Sequence, residues 1–438
     1  MITVSRRRGR PAANRPGAAH LRGVIAALVV VLAASLFSQP AQSGDLLIMH
    51  RWYTPAELAA LNILREKVES RGDRWIPLAI NARGKPAKTV IDLIADGIYP
   101  NAFHEMHPGI YRPLAETGKL LSLQDQFADS GLLAQLPDLV RDAITVDADV
   151  VKIPAALHAD ATIYYNKDVA RAAGVDPQSW TSLEAMWADF PAVRDAGYLP
   201  LAIGEQPWQV TYLAMSLLAS LGGAEVYDGI FGATPDPQGL DDPAFAEMLV
   251  WLRRFEREAD DSAPGRDWNI ATGMVISGQA LMQVQGDGMR AEWQAAGKTE
   301  ADDYGCLFLP GAKAVPMSVE AWGLVGGLSA ESEATGRAFA QDVTAVDTQI
   351  RFARAIGAVP VRRDAWIDLD PCARQVATAI DTTGHAVLTP LLTTPAPWIA
   401  AIQRALTDYW DTPEMSPRHV IAALHAAAAR PPLLPAAH

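Results

Sequence analysis

Strand and helix signals alternate at the start of this chain, give way to a mainly helical pattern between about residues 160 and 300, and then resume. Leu46-Leu47-Ile48-Met49 reads as an apolar strand. Thr54 with Glu57 forms a capping box around Pro55, and Leu58, Leu61, Leu64 and Val68 follow at helical spacing until Gly72 stops the helix. Strand signals recur at residues 75–80 and 102–106 with a helix around 89–96 between them, a β segment covers 143–154, and strands return at 305–309 and 320–325. In the helical stretch, Tyr164-Tyr165-Asn166 opens a helix that Gly174 ends, and Thr181 with Glu184 caps another carrying Met186, Trp187 and Phe190. A chain that leaves one sheet and later returns to it crosses between two cores more than once, so the expected class is α/β with two lobes. With 438 residues, 50% of them hydrophobic, the chain has enough apolar material for both.

The first forty residues carry a different message. Residues 1–22 are rich in Arg and free of acids, and residues 23–37 read GVIAALVVVLAASLF, too short to span a bilayer but right for the core of a signal peptide. Ala41 and Ser43 place cleavage after residue 43, with Gly44 starting an exported, periplasmic chain; no Cys sits there for a lipid anchor. Ser5-Arg6-Arg7 leaves a twin-arginine route open beside the general one. No later segment reads as apolar enough to cross a membrane. The chain holds 37 basic and 50 acidic residues, and its first 43 residues remove six Arg and no acid, so the exported body is too acidic to grasp phosphate backbones and nucleic acid is not an expected partner.

Two cysteines, Cys306 and Cys372, make an even pair in an oxidising compartment, which favours a disulfide. The nine His and two Cys show no metal-ligand spacing of the finger type. His104-Glu105-Met106-His107 is one residue short of the zinc-protease pattern, and on a strand its two His fall on opposite faces. No nucleophile elbow, phosphate loop or dinucleotide fingerprint is present. Neither a catalytic group, a metal nor a cofactor is therefore expected.

Four segments in order carry a resemblance: Lys152-Ile153-Pro154, then Ile163-Tyr164-Tyr165-Asn166-Lys167-Asp168, then Ala172-Ala173-Gly174-Val175-Asp176, then Trp180-Thr181-Ser182-Leu183-Glu184. They resemble the hinge-crossing signature of the bacterial extracellular solute-binding proteins, family 1. Gln285-Gly286-Asp287 with Ala295-Ala296-Gly297-Lys298 is similar to the glucose/mannose-type sugar-binding subunits of ABC importers. The resemblance implies a two-lobed periplasmic-binding-protein clamshell of type 2, with hinge crossings and a ligand cleft between the lobes. It divides the chain into an N-terminal α/β lobe (44–155 plus 312–350), a mainly helical C-terminal lobe (156–311 plus 351–425) and a flexible tail (426–438). It implies a monomeric, unanchored receptor that takes a carbohydrate to an ABC permease and makes or breaks no bond. Receptors for a polyol or another polar solute, and a periplasmic carbohydrate-active enzyme, are the alternatives.

A pyranose offers a patch of C–H groups that stacks on flat aromatic rings, while its hydroxyls need polar partners. Trp52 lies in the turn after the first strand, where open α/β sheets place ligands, with Arg51 and Tyr53 beside it. Trp208 matches a ligand-loop position that the resemblance implies, and Trp268 lies in a Gly/Pro-flanked loop; Trp75 and Trp187 fit core periodicity. The polar candidates are Glu105, His107, His158, Asp160, Asp287 and Glu320, with Trp322 as cleft wall or core. Three positions depart from the glucose-type pattern: Gly288 replaces an aromatic, Ile356 a lysine and Pro390 a late histidine. These departures imply a larger or less hydroxylated ligand than glucose.

Overall fold

The computed structural model describes residues 44–80 and 88–429; the expected signal peptide (1–43), residues 81–87 and the end of the expected tail (430–438) lie outside the described residues. Two sheets are built, in chain order, from β1 (Asp45–His50), β2 (Arg74–Ala79), β3 (Ala102–His104), β4 (Lys152–Ala159), β5 (Thr162–Asn166), β6 (Leu199–Leu201), β7 (Ala280–Gln285), β8 (Tyr304–Phe308), β9 (Val315–Leu324) and β10 (Ala386–Leu388). Five helices matter most for the site: α1 (Pro55–Ser70), α2 (Pro207–Phe231), α3 (Trp268–Ile276), α4 (Met289–Ala295) and α5 (Val346–Ile356).

The first sheet runs β10-β9-β3-β1-β2, with β4 pairing on β9 as its sixth strand. β1 is parallel to β2 and β3, and β9 is antiparallel to β3 and β4. The second sheet runs β8-β5-β7-β6. β4 ends at Ala159 and β5 begins at Thr162, so the chain passes from one sheet to the other through Asp160 and Ala161. It returns between β8 and β9.

The capping box of α1 forms as read. Thr54 Oγ1 accepts from Glu57 N at 3.3 Å, and Glu57 Oε2 accepts from Thr54 N and Tyr53 N, each at 2.8 Å. The helix buries Ala56, Ala60, Leu61, Leu64 and Val68. Leu58 is exposed instead, because at about 100° per residue it falls on the flank of that stripe.

Several local expectations shift. Tyr164 and Tyr165 belong to β5, where aromatic and β-branched residues pack well on a pleated surface, and the helix starts only at Lys167, with Asn166 as its cap. Ser182, not Thr181, caps the helix Leu183–Asp195 by accepting from Ala185 N, so the Thr181–Glu184 box does not form. Residues 143–154 split into a short hairpin and the start of β4, since Asp147 and Ala148 turn the chain at positive φ.

α2 is long and apolar enough to cross a membrane by length and composition, contrary to the sequence expectation. Much of it is buried in the second core instead, where Leu213, Leu217, Leu218 and Ala219 pack against Phe245, Leu249 and Leu252. Gly223, at φ 79°, interrupts the helical backbone within α2. The helices Ala396–Asp411 and Pro417–Ala428 add Trp398, Ile402, Leu406, Val420 and Leu424 to this core, so residues 426–428 are helical where a flexible tail was expected.

The first core gathers Leu61, Leu64 and Val68 of α1, Phe352 and Ile356 of α5, and Ile153 and Leu157 of β4. Residues 156–159, 351–356 and 386–388, assigned to the second lobe from sequence, thus pack or pair with the first sheet. Lobe boundaries that follow the cores, with the crossing at Asp160–Ala161, are the division we propose. Cys306 of β8 and Cys372 of the helix Pro371–Asp381 are bridged across a separation of 66 residues, worth roughly 4 kcal/mol in the chain-entropy picture.

Candidate functional site between the two sheets

A cavity of about 200 Å3 lies where residues of both sheets converge. Trp52, Thr54 and Glu57 reach it from the turn after β1 and the start of α1. His158 and Asp160 come from the end of β4, and Ser318 and Glu320 from β9. The rest of the lining is made by Trp208 and Tyr212 at the start of α2, Trp268 at the start of α3, Gln285 at the end of β7, Gly286 after it, and Glu292 of α4, which packs against α1. Gly286 is small for a reason: a Cβ there would lie 2.8 Å from the Tyr212 hydroxyl.

The three tryptophans differ in how they are held. Trp52 is 6% exposed, with its ring 4.8 Å from His104, 5.7 Å from Trp322 and 5.8 Å from Phe352, so only one part of it reaches the cavity. Trp208 is 40% exposed, donates from Nε1 to Gln206 Oε1 at 2.9 Å and meets Tyr212 edge-on. Trp268 is half-buried, as the first residue of a helix and not in a loop.

Under the cavity runs a buried polar chain. His104 Nε2 bonds Glu320 Oε2. Burial works to raise the Glu320 carboxyl, but His104 and His158 outweigh it and hold the group below the ordinary carboxylate range. His158 Nδ1 meets Asp287 Oδ1 at 2.5 Å. Burial opposes charge on that imidazole as well, yet Asp287, with Glu320 and Asp160, raises it to about 9, so it is a cation at neutral pH. Burial raises Asp160 to about 7 despite the polar contact of Tyr212 and the hydrogen bond that Ser318 Oγ donates to its Oδ1 at 2.7 Å. Burial also raises Glu292; the Thr54 hydroxyl opposes this and the Glu57 charge adds to it.

Of the sequence candidates, Trp52, His158, Asp160, Trp208, Trp268 and Glu320 meet at the cavity wall. Asp287 stands directly behind it. Besides its pairing with His158, its Oδ2 accepts from Ala159 N at 3.2 Å and its own N donates to Ala159 O at 3.0 Å, which ties the end of β4 to the segment after β7. The other five do not line the cavity. Arg51 donates to Glu105 Oε1 at 2.7 Å and to Lys88 O at 3.2 Å, and Glu105 is buried under that pair. Tyr53 is exposed on the same turn. His107 caps the helix Pro108–Glu116 by accepting at Nδ1 from Gly109 N, and donates from Nε2 to Thr394 O. Trp322 is fully buried behind Trp52 and is core.

Gly288 and Ile356, two of the three positions read as departures, do line the cavity; Pro390 starts the short helix Pro390–Thr393 elsewhere. Thr54, Glu57, Tyr212, Gln285, Glu292 and Ser318 were missed. Tyr212 had a signal, since it stands one helical turn after Trp208 and shares its face. Glu57 was read only as a helix cap, and Ser318 and Glu292 carry no local mark.

Comparison with known proteins agrees with this arrangement. The chain is 27% identical over 361 residues to a "Probable sugar-binding periplasmic protein" of Mesorhizobium japonicum, covering 81% of this chain and 85% of that one. A protein of the same description from Rhizobium meliloti is 26% identical over 354 residues, covering 80% and 83%. Among solved structures, a "Chitin oligosaccharide binding protein" superposes with a TM-score of 0.74 at 18% identity over 89% of this chain and all of that one, which shows a shared two-lobed fold. Residues 93–368 match the family profile described as "Bacterial extracellular solute-binding protein". The chain belongs to the bacterial extracellular solute-binding proteins.

Proposed function

We propose that this protein is a periplasmic receptor that captures a carbohydrate between its lobes and delivers it to an ABC permease. The observation that carries the reading is a cavity between two sheets, walled by Trp52, Trp208 and Trp268 and floored by Asp160, Ser318 and Glu320. Flat rings and hydroxyl-bonding carboxylates are the two things a sugar ring demands of a site. The sugar-binding periplasmic relatives support the same conclusion.

At about 200 Å3 the cavity is below the roughly 300–1,000 Å3 of pockets for drug-sized ligands, which favours a single ring over the larger ligand that Gly288 alone suggests. Because residues of both lobes line it, a bound ring stabilises closure, and the closed form is what a permease distinguishes from the empty one. The protein is a monomeric binder that makes and breaks no bond. Residues 1–43 direct export and are removed. Titration of the mature chain with a panel of monosaccharides, disaccharides and polyols, followed by tryptophan fluorescence and product analysis, tests this. Saturable quenching by a sugar without turnover is expected; response to polyols alone, or release of a hydrolysis product, would overturn it.

A further inference from the structure

We propose that the preferred ligand is an amine-bearing sugar whose ammonium sits between Glu57 and Glu292. The proposal rests on the sugar-receptor reading above and narrows it. Four carboxylates line the cavity, those of Glu57, Asp160, Glu292 and Glu320, and among the described residues that line it there is no Lys or Arg. Glu320 is hydrogen-bonded to His104 and lies near the His158 cation, which pairs with Asp287. Glu57, Glu292 and Asp160 have no cationic partner among the described ion pairs.

Asp160 is 1% exposed, lines the cavity and keeps Oδ2 buried without a well-directed hydrogen bond. Burial holds it near half-ionised at neutral pH, so it can donate to or accept from a ring hydroxyl. Glu292 Oε1 is likewise buried without a well-directed hydrogen bond, with the Thr54 hydroxyl as a polar neighbour of its carboxyl. Glu57 and Glu292 both line the cavity from α1 and α4, two helices that pack against one another, and the Glu57 charge pushes the Glu292 carboxyl up. The bonds from Tyr53 N and Thr54 N both end on Glu57 Oε2, which leaves Oε1 for a ligand. A neutral polyol would leave these neighbouring like charges uncompensated in a drying cleft. An ammonium between them turns the repulsion into two charge-assisted hydrogen bonds, and the Trp faces add a cation–π attraction. Ile356, where the resemblance implied a lysine, removes the side chain that would have excluded such a ligand.

The test is calorimetry on the mature chain at pH 7 in low salt with matched pairs: D-glucosamine against D-glucose and N-acetyl-D-glucosamine, and D-galactosamine against D-galactose. At least one amine should bind about tenfold or more tightly than its hydroxyl and acetylated counterparts, with the advantage shrinking in high salt. Glu292→Gln should bring the affinity ratio of each amine to its hydroxyl counterpart close to one; Glu57→Gln, which keeps the capping acceptor, should do the same if the first variant fails to fold. If neutral sugars bind as tightly as their amines in every pair, the amine proposal falls and the sugar-receptor reading stands. If no sugar of either kind binds, both fall. Micromolar binding of Ca2+ alone, with no amine preference, would identify the carboxylate pair as a metal seat and overturn the proposal.

Discussion

Trp52 and Trp208 face the same cavity from opposite sides, and they are held in opposite ways. Trp52 is wedged among His104 and Trp322 of the first sheet and Phe352 of α5, and His104 is in turn hydrogen-bonded to Glu320. Trp208 stands at the exposed start of α2, with one hydrogen bond to Gln206 and an edge contact to Tyr212. One wall of the site is therefore part of a core and the other is an addition to a surface. The first is preorganised and expensive to change; the second can vary with the ligand at little cost to the fold.

The largest effect that tests this contrast is Trp52→Ala. Losing a buried aromatic that packs on three rings should cost about 3–5 kcal/mol of stability, together with ligand binding. Urea unfolding of the ligand-free protein checks it, and a midpoint close to wild type would show that Trp52 is not rooted as described.

The next effect is a pH dependence. His158 is raised to about 9 from an ordinary 6.5, so the stability it contributes is complete below about pH 6.5 and is lost as pH rises through about 9. The loss amounts to at most roughly 3 kcal/mol. Asp160, raised from 3.8 to about 7, acts in a lower window, with stability present below 3.8 and lost as pH rises through about 7. Asp287→Asn should therefore flatten the upper limb of the stability profile, between about pH 6.5 and 9, more than the lower one. Chemical denaturation at a series of pH values measures this, and an unchanged upper limb would place the titration elsewhere.

The smallest effect belongs to the other wall. Trp208→Ala should alter stability by no more than about 0.5 kcal/mol, yet weaken sugar binding by about 1–2 kcal/mol through lost stacking. Paired melting and fluorescence titrations separate the two. A large drop in melting temperature would erase the contrast with Trp52.

Much of this molecule was legible from its residues because the signals are local. The capping box at Thr54 and Glu57 acts over one turn and forms as read. Boundaries failed where two local signals competed, as at Tyr164-Tyr165, where β preference prevailed over the nearby cap at Asn166. Trp52, read from the turn after a strand, and Trp208, read as a loop position that the resemblance puts near the ligand, reach the cavity. Glu105 and His107, read from the end of the third strand and the resemblance, do not: Glu105 is consumed by Arg51, and His107 by its own helix and Thr394.

The sequence by itself determined the alternation of elements, the two-core organisation, the family signature and the pairing of two cysteines, because each depends on composition or on spacing over short stretches. Only the tertiary structure decided which polar groups face the ligand. Glu320 reaches the cavity because β9 pairs antiparallel with β4 and sets it opposite Ala156. His158 is charged because Asp287, 129 residues away, is brought within 2.5 Å. The Glu57 charge acts on Glu292 only because α1 and α4 pack together in the fold. Charge state and site membership are set by neighbours through space and by the water they exclude, and nothing in the linear order of residues records either.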